Sequence, residues 1–111
     1  MITKLKTMMK IDLKHKKALV GGSTQGLGKA IALQLAECGA SVTLLARNED
    51  KLKATLNKLN VDFGQQHQYI VVDFLNFNDF SAKTTKYFKH NSVDILVNNT
   101  NGPSAGTALD K

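Results

Sequence analysis

The chain has 111 residues, 42% of them hydrophobic and 22% charged, which suits one globular domain and excludes an intrinsically disordered chain. Its formal net charge of +6 comes from basic residues scattered along the chain, so a solvated basic surface or a phosphate-bearing ligand accounts for it as well as nucleic acid does. A single cysteine, Cys38, excludes an internal disulfide and a thiolate metal cluster.

Residues 1–15 form a basic leader ahead of the first predicted strand. The stretch MITKLKTMMK lacks the apolar core of a signal peptide, and no run in the chain reaches the ~20 apolar residues of a membrane span. We therefore expect a cytoplasmic protein with no membrane partner. His15 is expected in a turn just before the strand.

A strand over about 17–21 runs into a glycine-rich stretch, after which helical periodicity begins. Glycines allow a sharp turn and close approach of a ligand, and the first helical turn offers unpaired N–H groups and a positive dipole end to phosphate. Spacing excludes two related phosphate loops. A Walker loop needs glycine at Ser23 and a hydroxyl at Ala30, and the G-x-G-x-x-G fingerprint needs glycine at Ile31.

The rest of the chain alternates helices and strands. We predict a helix over about 27–38, stopped by Gly39, and then a strand over 41–46. A second helix is expected to be capped by Asn48 and to have the apolar stripe Leu52, Leu56 and Leu59, and a strand over 69–72 follows it. A third helix over 78–90, with Phe80, Thr84, Tyr87 and Phe88 near one face, precedes a strand over 93–97. Such alternation implies right-handed crossovers and a parallel sheet in the order 3-2-1-4. The predicted fold is α/β, a Rossmann-type doubly wound sheet that is incomplete at about four strands and three helices.

Gly22, Gly26 and Gly28 form the pattern G-x-x-x-G-x-G, which resembles the cofactor loop of the short-chain dehydrogenase/reductase family, usually T-G-x-x-x-G-x-G. Gly21 stands where that family has threonine. The stretch NNTN at 98–101 is similar to the family's N-N-A-G segment, from which Thr100 and Asn101 depart. The resemblance covers residues 11–103. The alternative is a glycine-rich loop that only joins a strand to a helix.

The resemblance implies a nicotinamide dinucleotide along the carboxyl edge of the sheet. In dinucleotide folds an acid about 20 residues past the glycines holds the ribose 2′-hydroxyl, whereas a nearby arginine accommodates a 2′-phosphate. Ala46 and Arg47 end the second strand, which favours NADP(H) over NAD(H). An exposed arginine and, for Asp73, a turn-forming aspartate are the alternatives. The predicted cofactor-binding residues are Gly22, Ser23, Thr24, Gln25, Gly26, Leu27, Gly28, Arg47, Asn48, Asp73, Phe74, Asn99, Thr100 and Asn101.

The resemblance also implies hydride transfer to or from a carbonyl or alcohol carbon, with a tyrosine, a lysine four residues later and a serine as the acid–base group. In the family these residues follow the asparagine segment, and neither Tyr69 nor Tyr87 has a lysine at that spacing. We therefore predict no catalytic residue, no metal ligand and no activity of the chain alone. The expected division is a leader over 1–15, an NADP(H)-binding half-domain over 16–103 and a tail over 104–111, cut before the catalytic half.

Three functions stay open at this point. The chain is the cofactor-binding N-terminal part of an NADP(H)-dependent short-chain oxidoreductase, with 3-oxoacyl carrier-protein reductase or sugar dehydrogenase activity implied by resemblance, and a carbonyl or alcohol substrate binds only if the missing half is present. Alternatively it is a truncated, non-catalytic module that binds a nucleotide or a partner. The third function, nucleic-acid binding, is motivated only by the charge, so we predict no nucleic-acid partner. Self-association is expected through the edge of the fourth strand.

Overall fold

A computed structural model of the chain describes residues 11–99. Their elements are β1 (Lys17–Gly21), α1 (Gly26–Glu37), β2 (Ser41–Ala46), α2 (Glu49–Leu56), β3 (Gln68–Val71), α3 (Phe77–His90) and β4 (Ile95–Asn98). The strands pair in parallel in the order β3-β2-β1-β4. This architecture confirms the predicted doubly wound α/β sheet of four strands and three helices.

The two central strands, β1 and β2, are buried on both faces, which explains their nearly continuous apolar sequence. One face packs under α1 and α2, and the buried residues of this layer include Ala18, Val20, Val42 and Leu44 of the sheet and Ala32, Ala36 and Leu52 of the helices. The other face packs under α3, and its buried residues are Leu19, Leu45, Val72 and Tyr87. Small alanines on α1 let that helix approach the sheet closely, which brings its first turn over the end of β1.

Polar side chains set the ends of β4 and α3. The Asp94 carboxylate accepts the Lys17 N–H at 2.9 Å, and the Asp94 N–H donates to the Lys17 carbonyl at 2.8 Å, so this residue closes the pair and regular pairing starts at Ile95 rather than at Val93. Asn76 caps α3 by accepting the N–H of Asp79 at 3.1 Å. The helix therefore begins one residue before the predicted 78.

The apolar faces of α2 and α3 are shorter than predicted. Helix α2 ends at Leu56, and Leu59, predicted on its stripe, is buried from the turn that follows. On α3, Tyr87 is buried against Leu19, Leu45 and Val72, with its hydroxyl 2.9 Å from that of Thr43, while the neighbouring Phe88 is 48% exposed. Strand β3 covers 68–71 instead of 69–72.

The segment before β1 packs against the end of α1. His15 has a φ of 69°, which confirms its predicted place in a turn. The Leu13 N–H donates to the carbonyl of Cys38 at 2.7 Å, and a Cβ on Gly39 would lie 2.8 Å from Lys14 Cγ. Gly39 has a φ of 107° and ends α1 as predicted, with Cys38 buried beside it. Across residues 11–99, no helix is long and apolar enough to cross a membrane.

Candidate functional site

The glycine loop turns sharply between β1 and α1. Gly22 and Gly26 have φ angles of 68° and 60°, in the left-handed region that glycine adopts without strain. The Gly22 N–H donates to the Leu45 carbonyl at 3.0 Å, which ties the loop to the end of β2. A Cβ built on Gly26 would meet no atom within 4 Å, so this part of the loop faces open space.

Gly28 lies on the inner side of the same loop. A Cβ at this position would overlap the carbonyl of Gly22 and lie 2.8 Å from Asn99 Nδ2. The backbone of α1 is therefore packed directly onto the loop. Only glycine at 28 permits this approach without displacing its neighbours.

The N-terminus of α1 is the one without a side-chain cap among the three described helices. Its N-cap residue Gln25 makes no capping hydrogen bond, and its first turn contains no acid. By contrast, Asn48 and Asn76 cap α2 and α3, and both of those helices have acids in their first turn. The first N–H groups of α1, with the positive end of its dipole, are thus left for an external acceptor such as phosphate.

The remaining loop residues predicted to bind the cofactor differ in exposure. Ser23 is fully buried, and its hydroxyl donates to the carbonyl of Leu45 at 3.4 Å. Thr24 is half-buried, Gln25 is exposed, and Leu27 is 66% exposed. With its hydroxyl turned inward and the whole residue buried, Ser23 supports the loop from inside the fold and has no side-chain group free for a ligand.

The end of β4 joins the glycine loop. The Asn99 N–H donates to the carbonyl of Gly21 at 3.2 Å, and its amide nitrogen reaches the Gly28 position. The structure thus brings Asn99 together with two ends of the loop. The other two predicted residues of this segment, Thr100 and Asn101, lie outside the described residues.

Arg47 and Asn48 follow β2 at the same edge of the sheet. Arg47 is exposed, and no described residue forms a hydrogen bond or ion pair with its guanidinium. Asn48 Oδ1 accepts the N–H of Lys51 at 3.0 Å, so this side chain caps α2. Arg47 thus has no partner among the described residues, whereas Asn48 uses its Oδ1 as a helix cap.

Asp73 and Phe74 form the turn after β3. Asp73 Oδ1 accepts the N–H of Leu75 at 2.9 Å, and its carbonyl accepts the N–H of Asn76 at 3.0 Å, as expected of a turn-forming aspartate. The ring of Phe74 packs 3.6 Å from the Cβ position of Gly21 and 5.5 Å, centroid to centroid, from the ring of Phe80. Within residues 11–99, neither Asp73 Oδ2 nor the Phe74 N–H has a hydrogen-bond partner.

Both tyrosines of the chain have partners within the fold. The Tyr69 hydroxyl donates to Glu49 Oε2 at 2.8 Å, and this hydrogen bond raises the pKa of Tyr69 above its ordinary value. A general base needs the opposite shift. The Tyr87 hydroxyl is paired with that of Thr43 in the core.

A polar pocket of about 390 Å³ lies at the opposite, amino edge of the sheet, where β1 and β2 begin. Its lining residues are Lys17, Ser41, Gly64, Gln66, His67, Gln68 and Asn91. Both ring nitrogens of His67 are engaged internally, Nδ1 with the Val42 N–H at 3.0 Å and Nε2 with the Asn60 carbonyl at 2.7 Å. The described residues include no group of three or more His, Cys, Asp or Glu that could hold a metal. None of the residues that line this pocket belongs to the glycine loop, so the two are separate.

Asp79 and Lys83, at the carboxyl edge of the sheet, were not predicted from the sequence. Asp79 Oδ2 accepts the N–H of Asp73 at 3.1 Å, and Lys83 reaches both Asp79 Oδ1, at 3.2 Å, and the carbonyl of Val71, at 2.6 Å. The spacing of Asn76 to Asp79, an N-cap residue and an acid three positions later, is the signal that could have drawn attention to this turn.

Comparison with known proteins agrees with this geometry. The family described as short chain dehydrogenase matches residues 16–110. The uncharacterized oxidoreductase YvaG of Bacillus subtilis is 40% identical over 91 residues, covering 82% of this chain and 34% of that protein. The very-long-chain 3-oxoacyl-CoA reductase of Rattus norvegicus is 35% identical over 82 residues, covering 74% of this chain and 26% of that protein.

A solved structure extends the similarity to three dimensions. The L-sorbose reductase of Gluconobacter frateurii, complexed with NADPH and L-sorbose, superposes with a TM-score of 0.72 at 31% identity, covering 83% of this chain and 35% of that one. The match thus spans between 26% and 35% of the length of these three proteins.

Proposed function

This chain belongs to the short-chain dehydrogenase family, and from that premise we propose that it is the N-terminal, NADP(H)-binding part of an oxidoreductase. The observation that carries the proposal is the uncapped N-terminus of α1 at the glycine loop. It supplies free N–H groups and a positive dipole end to the pyrophosphate. Gly26 leaves the open space in which the phosphates would lie. The domain boundaries at 16 and 103 belong to this proposal.

Further residues at the carboxyl edge of the sheet would each bind a different part of the proposed cofactor. Arg47, exposed and unpaired among the described residues, would bind the 2′-phosphate through its planar set of N–H donors. Ala46 brings no negative charge that would repel that phosphate. Asp73 Oδ2 and the Phe74 N–H would contact the adenine, and Asn99 would lie along the cofactor beside Gly28.

The proposed reaction is reduction of a carbonyl compound or oxidation of the corresponding alcohol. Bound NADP(H) would supply or accept the hydride, while this chain would bind and orient the cofactor. Two of the matched proteins are named as a 3-oxoacyl-CoA reductase and an L-sorbose reductase, both of which act on carbonyl compounds. The proposal includes no nucleic-acid partner. The cytoplasmic location stays a prediction, which fractionation of the producing cells would test.

Replacing Arg47 tests the cofactor choice. We expect Arg47→Met to weaken NADPH binding by about 10- to 100-fold, because one charge-assisted contact to the 2′-phosphate is lost. NADH binding should stay unchanged, since NADH carries no 2′-phosphate. Isothermal titration of the chain with each cofactor measures both constants.

Lys53→Met is the matched control for that experiment. Lys53 is exposed in the last turn of α2, so its replacement removes the same positive charge without touching the edge of the sheet. It should leave both affinities within about twofold, because exposed charges at a distance are screened by salt. An equal loss for NADPH and NADH in Arg47→Met would refute the role of Arg47. Failure of the unaltered chain to bind either cofactor would refute the proposed function.

We also propose that the chain self-associates through the free edge of β4. In the described sheet β4 pairs with β1 on one side only. Leu96, in register with the buried Leu19, faces the α3 side of the sheet and is nevertheless 66% exposed. An open strand edge beside an apolar surface favours pairing with a second copy.

Sedimentation velocity over a hundredfold range of concentration tests that association. We expect the mean mass to rise with concentration in the unaltered chain and to stay at the monomer value in Leu96→Lys, which places a charge on the edge. A monomer at every concentration in the unaltered chain would contradict the proposal.

A further inference from the structure

A small ionic network braces the turn between β3 and α3. The carboxylate of Asp79, in the first turn of α3, accepts the backbone N–H of Asp73 and pairs with Lys83 one turn further on. Lys83 also donates to the carbonyl of Val71, the last residue of β3. Both contacts are made from a single helix to the β3 end of the turn.

Electrostatics strengthen this brace. The backbone N–H of Asp73 and the ammonium of Lys83 together lower the pKa of Asp79 below its ordinary value. Because the folded-state pKa is lowered, the stabilising contribution is present above the ordinary aspartate pKa and is lost as the pH falls through the lowered one. At neutral pH Asp79 is therefore ionised, and its contacts with Asp73 and Lys83 are intact.

The braced turn contains one hydrogen-bond acceptor and one donor that are available to a ligand. These are Asp73 Oδ2 and the Phe74 N–H, neither of which has a partner among residues 11–99. Adenine offers the complementary pair, because its 6-amino group donates and its ring N1 accepts. Hypoxanthine offers the reverse, a carbonyl oxygen at position 6 and an N1–H. A rigid turn can therefore distinguish the two bases, whereas a loose turn can adapt to either.

We infer that Asp79 and Lys83 are positioning residues that hold Asp73 and Phe74 in the geometry selecting adenine at the end of the dinucleotide. This inference rests on the proposed function and adds to it the two residues, Asp79 and Lys83, that maintain the preference for adenine. Neither side chain needs to contact the ligand, because both act on the backbone of the turn. The ring of Phe74 also packs beside that of Phe80, with centroids 5.5 Å apart, so this contact and the brace act together on the turn.

The test compares the affinities of the chain for NADPH and for its hypoxanthine analogue, measured by titration. The unaltered chain should bind NADPH more tightly. In Asp79→Ala and in Lys83→Met the preference should fall about tenfold, the equivalent of one hydrogen bond to a charged group. Lys83→Arg should keep the preference, since arginine can also bridge a carboxylate and a carbonyl oxygen.

Lys86→Met is the matched control, because Lys86 is exposed on the same helix and its loss changes the net charge equally. It should leave the preference unchanged. A merely structural role would weaken both ligands by the same factor, so an unchanged ratio in Asp79→Ala and Lys83→Met would overturn the inference. A chain that binds NADPH and its analogue equally well before any substitution would overturn it too. Absence of NADPH binding by the unaltered chain would instead refute the proposed function, and this inference with it.

Discussion

Gly28→Ala is expected to lower the free energy of unfolding by about 2 kcal/mol and to weaken NADPH binding at least tenfold, since overpacking a close contact typically costs about 1–3 kcal/mol. The added methyl group would overlap the backbone carbonyl of Gly22 and crowd Asn99 Nδ2, which lies 2.8 Å from its position. The first of these neighbours is backbone, so it can give way only if the loop moves. Urea denaturation and cofactor titration measure the two effects.

Gly64→Ala separates the effect of crowding from that of adding a side chain. Unlike Gly28, Gly64 has a positive φ, 76°, but a Cβ there would meet nothing within 4 Å, and the residue lies in the connection between α2 and β3. It should cost about 1 kcal/mol of stability, the strain of a left-handed residue, and leave NADPH binding unchanged. If Gly28→Ala were as stable as the unaltered chain, that result would contradict the close packing of α1 on the loop.

The sheet was predictable because its central strands are buried on both faces. Strand β2 has the bounds that the sequence predicts, Ser41–Ala46, since a continuous apolar run between a glycine stop and a capped helix leaves little choice of register. The order of the strands follows from right-handed crossovers, and the register of β1 with β2 and β4 agrees with it. Local pattern and long-range packing favour the same answer here.

Only the parts of the site that depend on the backbone and on residue identity were predictable from the sequence. Glycine spacing indicated the loop, and the sequence contains the arginine after β2. The direction of a side chain depends on tertiary contacts that no spacing reports. Ser23 turns into the fold toward Leu45, and on α3 it is Tyr87, paired with Thr43, that is buried while Phe88 is exposed. The Asp79–Lys83 brace needs the carbonyl of Val71, which only the folded turn brings within reach.

Leu44→Ala is expected to lower the free energy of unfolding by about 2–5 kcal/mol, the range for emptying a buried leucine site. Leu44 is fully buried at the centre of the sheet, in register with Val20 on one side and Tyr69 on the other. Its side chain lies in the cluster that joins β1 and β2 to α1 and α2. Small domains are stable by only about 5–15 kcal/mol, so the loss is a large share of the total.

Leu96→Ala is the control, because it removes the same atoms from a strand at the edge of the sheet. Leu96 is 66% exposed, so its truncation should cost less than about 0.5 kcal/mol when measured by urea denaturation at a concentration where the chain is monomeric. The difference between the two leucines measures how far the stability of the domain depends on β1 and β2 rather than on β4. Equal losses at that concentration would contradict the exposure of Leu96 in the single chain.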